Sequence, residues 1–160
     1  MLTYHSDLKT NTFYIIKSCC ELIVPKHEFD PARIFLSYPI DIDYSVKERG
    51  GGKTFRVLID VKINFPDKFP GYSIMVEAMG DYSIESDKPL NKVDKEHLMN
   101  YTAVERSIEY IRGYVANITS QYPLGKYIFQ GINMEMLYQS KLEQLKKIKT
   151  SDSKLKKAHD

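Results

Sequence analysis

The run Gly50-Gly51-Gly52-Lys53-Thr54 ends like a phosphate-binding loop, whose chemistry would be nucleotide binding. Such a loop needs G-x-x-x-x-G-K-[ST] between a strand and a helix, so that backbone amides and the helix N-terminus face the phosphates. Position 47 is Lys instead of Gly and a strand pattern follows, so the run reads as a hairpin turn. His5, His27, His97 and His159 are scattered, with no metal-ligand spacing, and no Ser, His, Asp constellation is recognisable. No catalytic centre, metal or cofactor is expected, and the chain reads as a non-enzyme.

The remaining candidates are binding surfaces. Glu21, Asp41, Asp43, Asp60, Glu77 and Asp81 fall on the polar phase of strand-like runs, interleaved with Lys17, Lys47, Arg56 and Lys62. They form either a solvated face or an electrostatic docking surface for a basic partner. Twelve Tyr and seven Phe with no Trp are more than a two-layer core absorbs. Phe29, Tyr122, Tyr127 and Phe129 lie in or beside loops, where some serve as ordinary loop anchors and the rest offer large contact area to an extended apolar peptide. Cys19 and Cys20 are strand neighbours on opposite faces and cannot pair with each other.

The elements that must position these residues divide the chain in two. At 160 residues and 42% hydrophobic it has the size of one domain, residues 12–150, between an N-terminal segment 1–11 and a basic tail 151–160. No apolar run approaches the roughly 20 residues of a membrane span. Met1 to Asn11 carries His5, Asp7 and Lys9 in place of an apolar signal core, so a cytoplasmic location is expected. The net charge of +2 hides an asymmetry: residues 139–160 hold seven of the 23 basic and three of the 21 acidic groups, leaving residues 1–138 at −2.

Alternation over 13–24, 34–46, 55–65 and 72–82 predicts four antiparallel strands. Val104, Ile108, Ile111, Val115, Ile118 and Tyr122 then make one stripe of a long helix that covers the sheet, capped at Asp94. A second stripe with Ala103, Ser107, Tyr110 and Tyr114 is small or aromatic instead of charged, and is expected to meet another subunit. Asn133 caps a C-terminal helix. The fold class is α+β: a four-stranded antiparallel sheet covered by a long helix, with a second helix at the C-terminus.

Tyr110-x-Arg112, then Tyr122-Pro123-Leu124, then Ile132-Asn133-x-x-x-Leu137-Tyr138 resemble the C-terminal half of the SecB family of protein-export chaperones. The order of elements is also that family's, over roughly residues 12 to 145. The resemblance implies an ATP-independent holdase for unfolded clients, assembled as a dimer of dimers and serving export through the Sec pathway, without nucleic acid or membrane insertion. It places client binding at Phe29, Tyr122, Leu124, Tyr127 and Phe129, and docking of the motor SecA at Glu21, Asp41, Asp43 and Asp60. Gly113 stands where the family usually has Glu, and the chain is less acidic than well-known SecB proteins. A dedicated antitoxin chaperone and an adaptor binding one folded partner through the sheet face are the alternatives.

The turn reading of residues 50–54 makes a direct prediction. ATP with Mg²⁺ leaves the thermal melting curve unmoved, whereas a bound nucleotide would raise the midpoint by mass action.

Overall fold

A computed structural model describes residues 7–66, 69–86 and 89–156, with side chains up to residue 147. It contains strands β1 (Leu8–Ile23), β2 (Ile40–Arg49), β3 (Thr54–Ile63) and β4 (Gly71–Ile84), and helices α1 (Pro31–Ser37), α2 (Lys92–His97), α3 (Ala103–Thr119) and α4 (Met134–Lys156). The strands form one antiparallel sheet in the order β1-β4-β3-β2. The chain divides into two units, residues 1–130 and 131–160.

The core lies between the sheet and α3. Phe55, Val57, Ile59, Val61 and Ile63 of β3 alternate inward, as do Tyr72, Ile74, Val76, Ala78 and Tyr82 of β4, and all are buried. Val104, Ile108, Ile111 and Val115 of α3 are buried with them. Removing each such side chain from water is worth about 1.5–3 kcal/mol. The helix begins earlier than expected: Asn91, not Asp94, is the cap, its side chain accepting from the Asp94 amide at 2.8 Å. A π-helical turn at Leu98–Thr102 joins α2 to α3.

Two expectations need correction. The apolar phase from Ile34 does not start a strand; residues 31–37 form α1. Pro31 occupies the first helical turn, and the Asp30 carboxylate accepts from the Ala32 amide at 3.0 Å, so capping chemistry outweighs a short alternating pattern. In β1, register shifts between Thr10 and Thr12 and between Ile15 and Lys17 reset the alternation twice. Gly50–Gly52 form a 3-10 turn with positive φ throughout and lead into β3, as a hairpin requires.

In the second unit, Asn133 caps α4, its side chain accepting from the Met136 amide at 3.0 Å. The helix runs to Lys156, past the expected boundary at Thr150; residues 157–160 of the expected tail, and residues 1–6, lie outside the described residues.

Strand order dictates a crossover. β1 and β2 follow each other in the chain but occupy opposite edges of the sheet, so residues 24–39, with α1, must cross one end of it. They cross where β3 turns into β4. Asn64, with φ of 55°, pins that turn: its amide donates to Pro39 at 2.8 Å, its side-chain nitrogen donates to the Phe69 and Tyr72 carbonyls at 2.7 Å, and its side-chain oxygen accepts from the Phe69 amide at 2.7 Å. The Tyr38 hydroxyl accepts from the Tyr72 amide at 2.8 Å and donates to the Pro70 carbonyl at 2.9 Å.

A Cβ at position 71 would collide with that hydroxyl, and φ there is 110°. Gly71→Ala is expected to destabilise by about 3 kcal/mol in urea unfolding. Tyr38→Phe combined with it should cost less than the sum of the two single changes, because the clash and the hydroxyl are removed together.

Candidate functional site

The crossover end of the sheet carries an aromatic cluster. Phe35 of α1 stacks on Tyr72 at 5.5 Å and meets Tyr127 edge-on at 5.1 Å; Tyr38 meets Tyr127 at 5.5 Å; Tyr122 stands on Tyr72 at 5.8 Å, nearly perpendicular. The Tyr72 hydroxyl accepts from the Leu124 amide at 3.1 Å and donates to the Gly125 carbonyl at 2.9 Å, and the Tyr122 hydroxyl donates to the Cys20 carbonyl at 3.2 Å. Burial pushes the phenols of Tyr38, Tyr72 and Tyr127 up, so they stay protonated, and those of Tyr38 and Tyr72 keep donating.

Phe29, Tyr122 and Leu124 are half-buried at this end, but Tyr127 and Phe129 are not surface residues. Both are buried, which corrects their expected place in an open groove. The Tyr127 amide donates to Thr119 Oγ1 at 2.9 Å, and the Arg112 guanidinium lies over the Phe129 ring at 5.2 Å while donating to the Gln130 carbonyl at 3.0 Å. Between them Ile128 points out, 55% exposed. In an extended chain these three side chains alternate, which sets Ile128 on the face opposite Tyr127 and Phe129, but all three are apolar and the sequence does not say which face is covered. Val24 and Leu36, 74% and 67% exposed, were also missed. The first follows β1 and the second lies on the outer side of α1, whose helical character the alternating pattern concealed.

The expected subunit stripe divides. Ala103 and Ser107 belong to the chain's own core: Ser107 Oγ lies 2.7 Å from the Tyr82 hydroxyl, whose pKa burial pushes up to about 12, and donates to the Ala103 carbonyl at 2.8 Å. Tyr110 and Tyr114 lie over β1. The Tyr110 ring stacks on Phe13 at 4.8 Å, the residue remaining 45% exposed, and the Tyr114 hydroxyl is 2.6 Å from Ser18 Oγ.

On the opposite face of the sheet, register aligns Asp43, Asp60 and Glu77 in one row, with Asp41 in the next and Glu21 beyond it on β1. Like charges directly opposite one another repel. Lys62 lies 3.1 Å from Asp60 and Lys17 lies 3.9 Å from Glu77, which offsets part of this. The other Asp60 carboxylate oxygen is buried without a hydrogen-bond partner among the described residues. Cys19 opens on this face opposite Met75, and Cys20 on the inner face opposite Ile74; both are free thiols.

At the far end of the sheet a cavity of about 570 Å³ adjoins the glycine turn, lined by Lys53, Ile84, Glu85, Leu90 and Lys95. The Lys95 ammonium there is held by Glu48 at 3.2 Å. His97 stacks on Tyr101 at 4.7 Å; His5 and His159 lie outside the described residues. Among the described residues no cluster of His, Cys, Asp and Glu is placed to hold a metal, and no helix is long and apolar enough to cross a membrane.

No protein-family model and no curated protein matches the chain. Solved structures do. A SecB-like chaperone of Mycobacterium tuberculosis, solved in complex with a ChAD peptide from the HigA1 antitoxin, is similar over 79% of this chain and 91% of its own, with a TM-score of 0.57 and 14% identity. A protein of unknown function from Streptococcus agalactiae is similar over 78% and 97%, with a TM-score of 0.44 and 5% identity. The four-stranded antiparallel sheet, the long helix and the C-terminal helix are the SecB-like fold.

The outer sheet face yields a pH prediction. Arg56 donates to both Asp81 oxygens at 2.7 and 2.8 Å, and these hydrogen bonds hold the Asp81 carboxyl below its usual value. A depressed carboxylate adds stability above the unfolded-state pKa, and this is lost as pH falls through the folded value. Arg56→Gln should therefore lower stability at neutral pH and cost progressively less in acid. NMR titration of the variant should return Asp81 toward the ordinary value of about 4.

Proposed function

We propose that this chain is an ATP-independent chaperone, a holdase that binds non-native polypeptide segments without chemistry and keeps them from aggregating. The observation that carries this reading is the exposure of Val24, Leu36 and Ile128 around a rigid aromatic floor at the crossover end of a SecB-like sheet. Apolar groups held in water by a well-packed base mark a surface built for apolar partners. The floor residues Tyr127 and Phe129 position the loop; Phe29, Tyr122 and Leu124 border the contact surface. The peptide held by the Mycobacterium tuberculosis protein of the same fold supports a polypeptide segment as the client.

Two specialisations of this activity differ in their partner. The antitoxin origin of that peptide supports a dedicated antitoxin chaperone. The row Asp43, Asp60 and Glu77, with Asp41 and Glu21 near it, supports cytoplasmic service to export with SecA docked on the outer sheet face. Lys62 and Lys17 already engage two of those carboxylates, which weakens the attraction that a basic partner would feel. In either role Tyr110 and Tyr114, beside the unpaired edge of β1, are the surface for a second copy, and two such dimers would complete a tetramer.

The reading is tested by aggregation of a denatured client. The wild-type chain at stoichiometric amounts should suppress light scattering, and Val24→Ser, Leu36→Ser and Ile128→Ser together should abolish suppression with the melting temperature kept. Suppression undiminished in that variant would refute the assigned surface. Tyr127→Ala or Phe129→Ala should instead unfold the loop or the chain, since truncating a buried aromatic costs about 3–5 kcal/mol.

A further inference from the structure

We propose that Phe65 and Phe69, on the turn between β3 and β4, form a second apolar docking point for the same extended, non-native polypeptide. The inference rests on the holdase reading and extends it to a turn that no sequence pattern singled out. The two rings are 36% and 46% exposed, although burying a phenylalanine is worth about 1.5–3 kcal/mol. The turn leaves both residues partly in water, and it is anchored from several sides. Asn64 makes three side-chain hydrogen bonds to Phe69 and Tyr72, its own amide is held by Pro39, and the Pro70 carbonyl is held by the Tyr38 hydroxyl. The rings are thus presented on a fixed base.

The same contacts make the turn continuous with the client surface. Tyr38, which holds Pro70, is the residue that ends α1, two positions from Leu36. A Cβ built at Gly71 would lie 3.7 Å from Leu124 Cδ1, so the turn also borders the loop that carries Ile128. Segments far apart in sequence therefore expose apolar side chains at one end of the sheet.

The size of the patch selects its occupant. A phenylalanine buries about 150–250 Å², so these fractions leave roughly 160 Å² on the two rings, against about 800 Å² per partner in a standard protein interface. A contact that small suits two or three side chains of an extended segment better than a second copy of the chain. Neither ring carries a polar atom, so recognition is by apolar burial and tolerates varied sequences. A segment that spans this point and the Leu36 surface gains from bivalency: once one point is filled, the other sees a high effective concentration.

The experiment uses the full-length chain and a reduced, carboxymethylated protein as a permanently unfolded, fluorescently labelled probe. Phe65→Ser with Phe69→Ser should weaken probe binding about tenfold, as loss of two aromatic anchors does, with circular dichroism and scattering mass at the assay temperature unchanged. Val93→Ser, an exposed apolar control on α2, should bind like wild type. Probe binding by wild type but equal binding by the Phe65/Phe69 variant overturns this proposal and leaves the holdase reading standing. No binding by wild type overturns both. A changed scattering mass in the variant assigns the rings to self-association and also overturns it. Should the serine pair fail to fold, a photo-crosslinking phenylalanine analogue at position 69 must label the probe; absence of labelling is the refuting result.

Discussion

One phenolic oxygen joins the segments that make the apolar end. Tyr38 Oη accepts from the Tyr72 amide and donates to the Pro70 carbonyl, in a notch that exists only because position 71 has no side chain. The crossover from β1 to β2 is thereby fastened to the turn between β3 and β4. Phe35 and Tyr127 pack against the Tyr38 ring, and Tyr72, held by its backbone, reaches with its own hydroxyl to the loop at Leu124 and Gly125. Burial raises the pKa of both phenols, so neither hydroxyl ionises under ordinary conditions and the linkage keeps its donors.

A rigid floor accounts for how an apolar surface persists in water. Residues whose neighbours are mobile collapse onto one another; these are held apart by backbone hydrogen bonds and stacked rings. In the segment Tyr127, Ile128, Phe129, the outer two side chains anchor the loop and the middle one is offered to solvent. Exposure and rigidity have one cause, the alternation of an extended chain over a packed base.

The two faces of the sheet divide the remaining tasks. The inner face supplies the core under α3, and the outer one carries charge in rows set by strand register. Asp43, Asp60 and Glu77 are distant in sequence and adjacent in space, a mild electrostatic strain that Lys62 and Lys17 relieve in part. The edge of β1 is bulged and is overhung by Tyr110 and Tyr114.

Much of the fold was legible in local periodicity. Inward alternation in β3 and β4, the apolar stripe at Val104, Ile108, Ile111 and Val115, and the cap at Asn133 each arise within one segment, where side-chain geometry repeats every two or 3.6 residues. The sequence therefore determined the four strands apart from the start of the second, the long helix, their succession along the chain and the outward placement of the carboxylates, but not the order of strands in the sheet. It did not separate floor from surface. Periodicity states which side chains share a face, but only partners remote in the chain decide whether that face is covered: Tyr38 against Pro70, Ser107 against Tyr82, Tyr127 beneath Phe35. For that reason Tyr127, Phe129, Ala103 and Ser107, which the sequence pattern suggests for contacts with other chains, are core. Val24, Leu36, Phe65, Phe69 and Ile128 became visible as a surface only once the crossover had closed the end of the sheet.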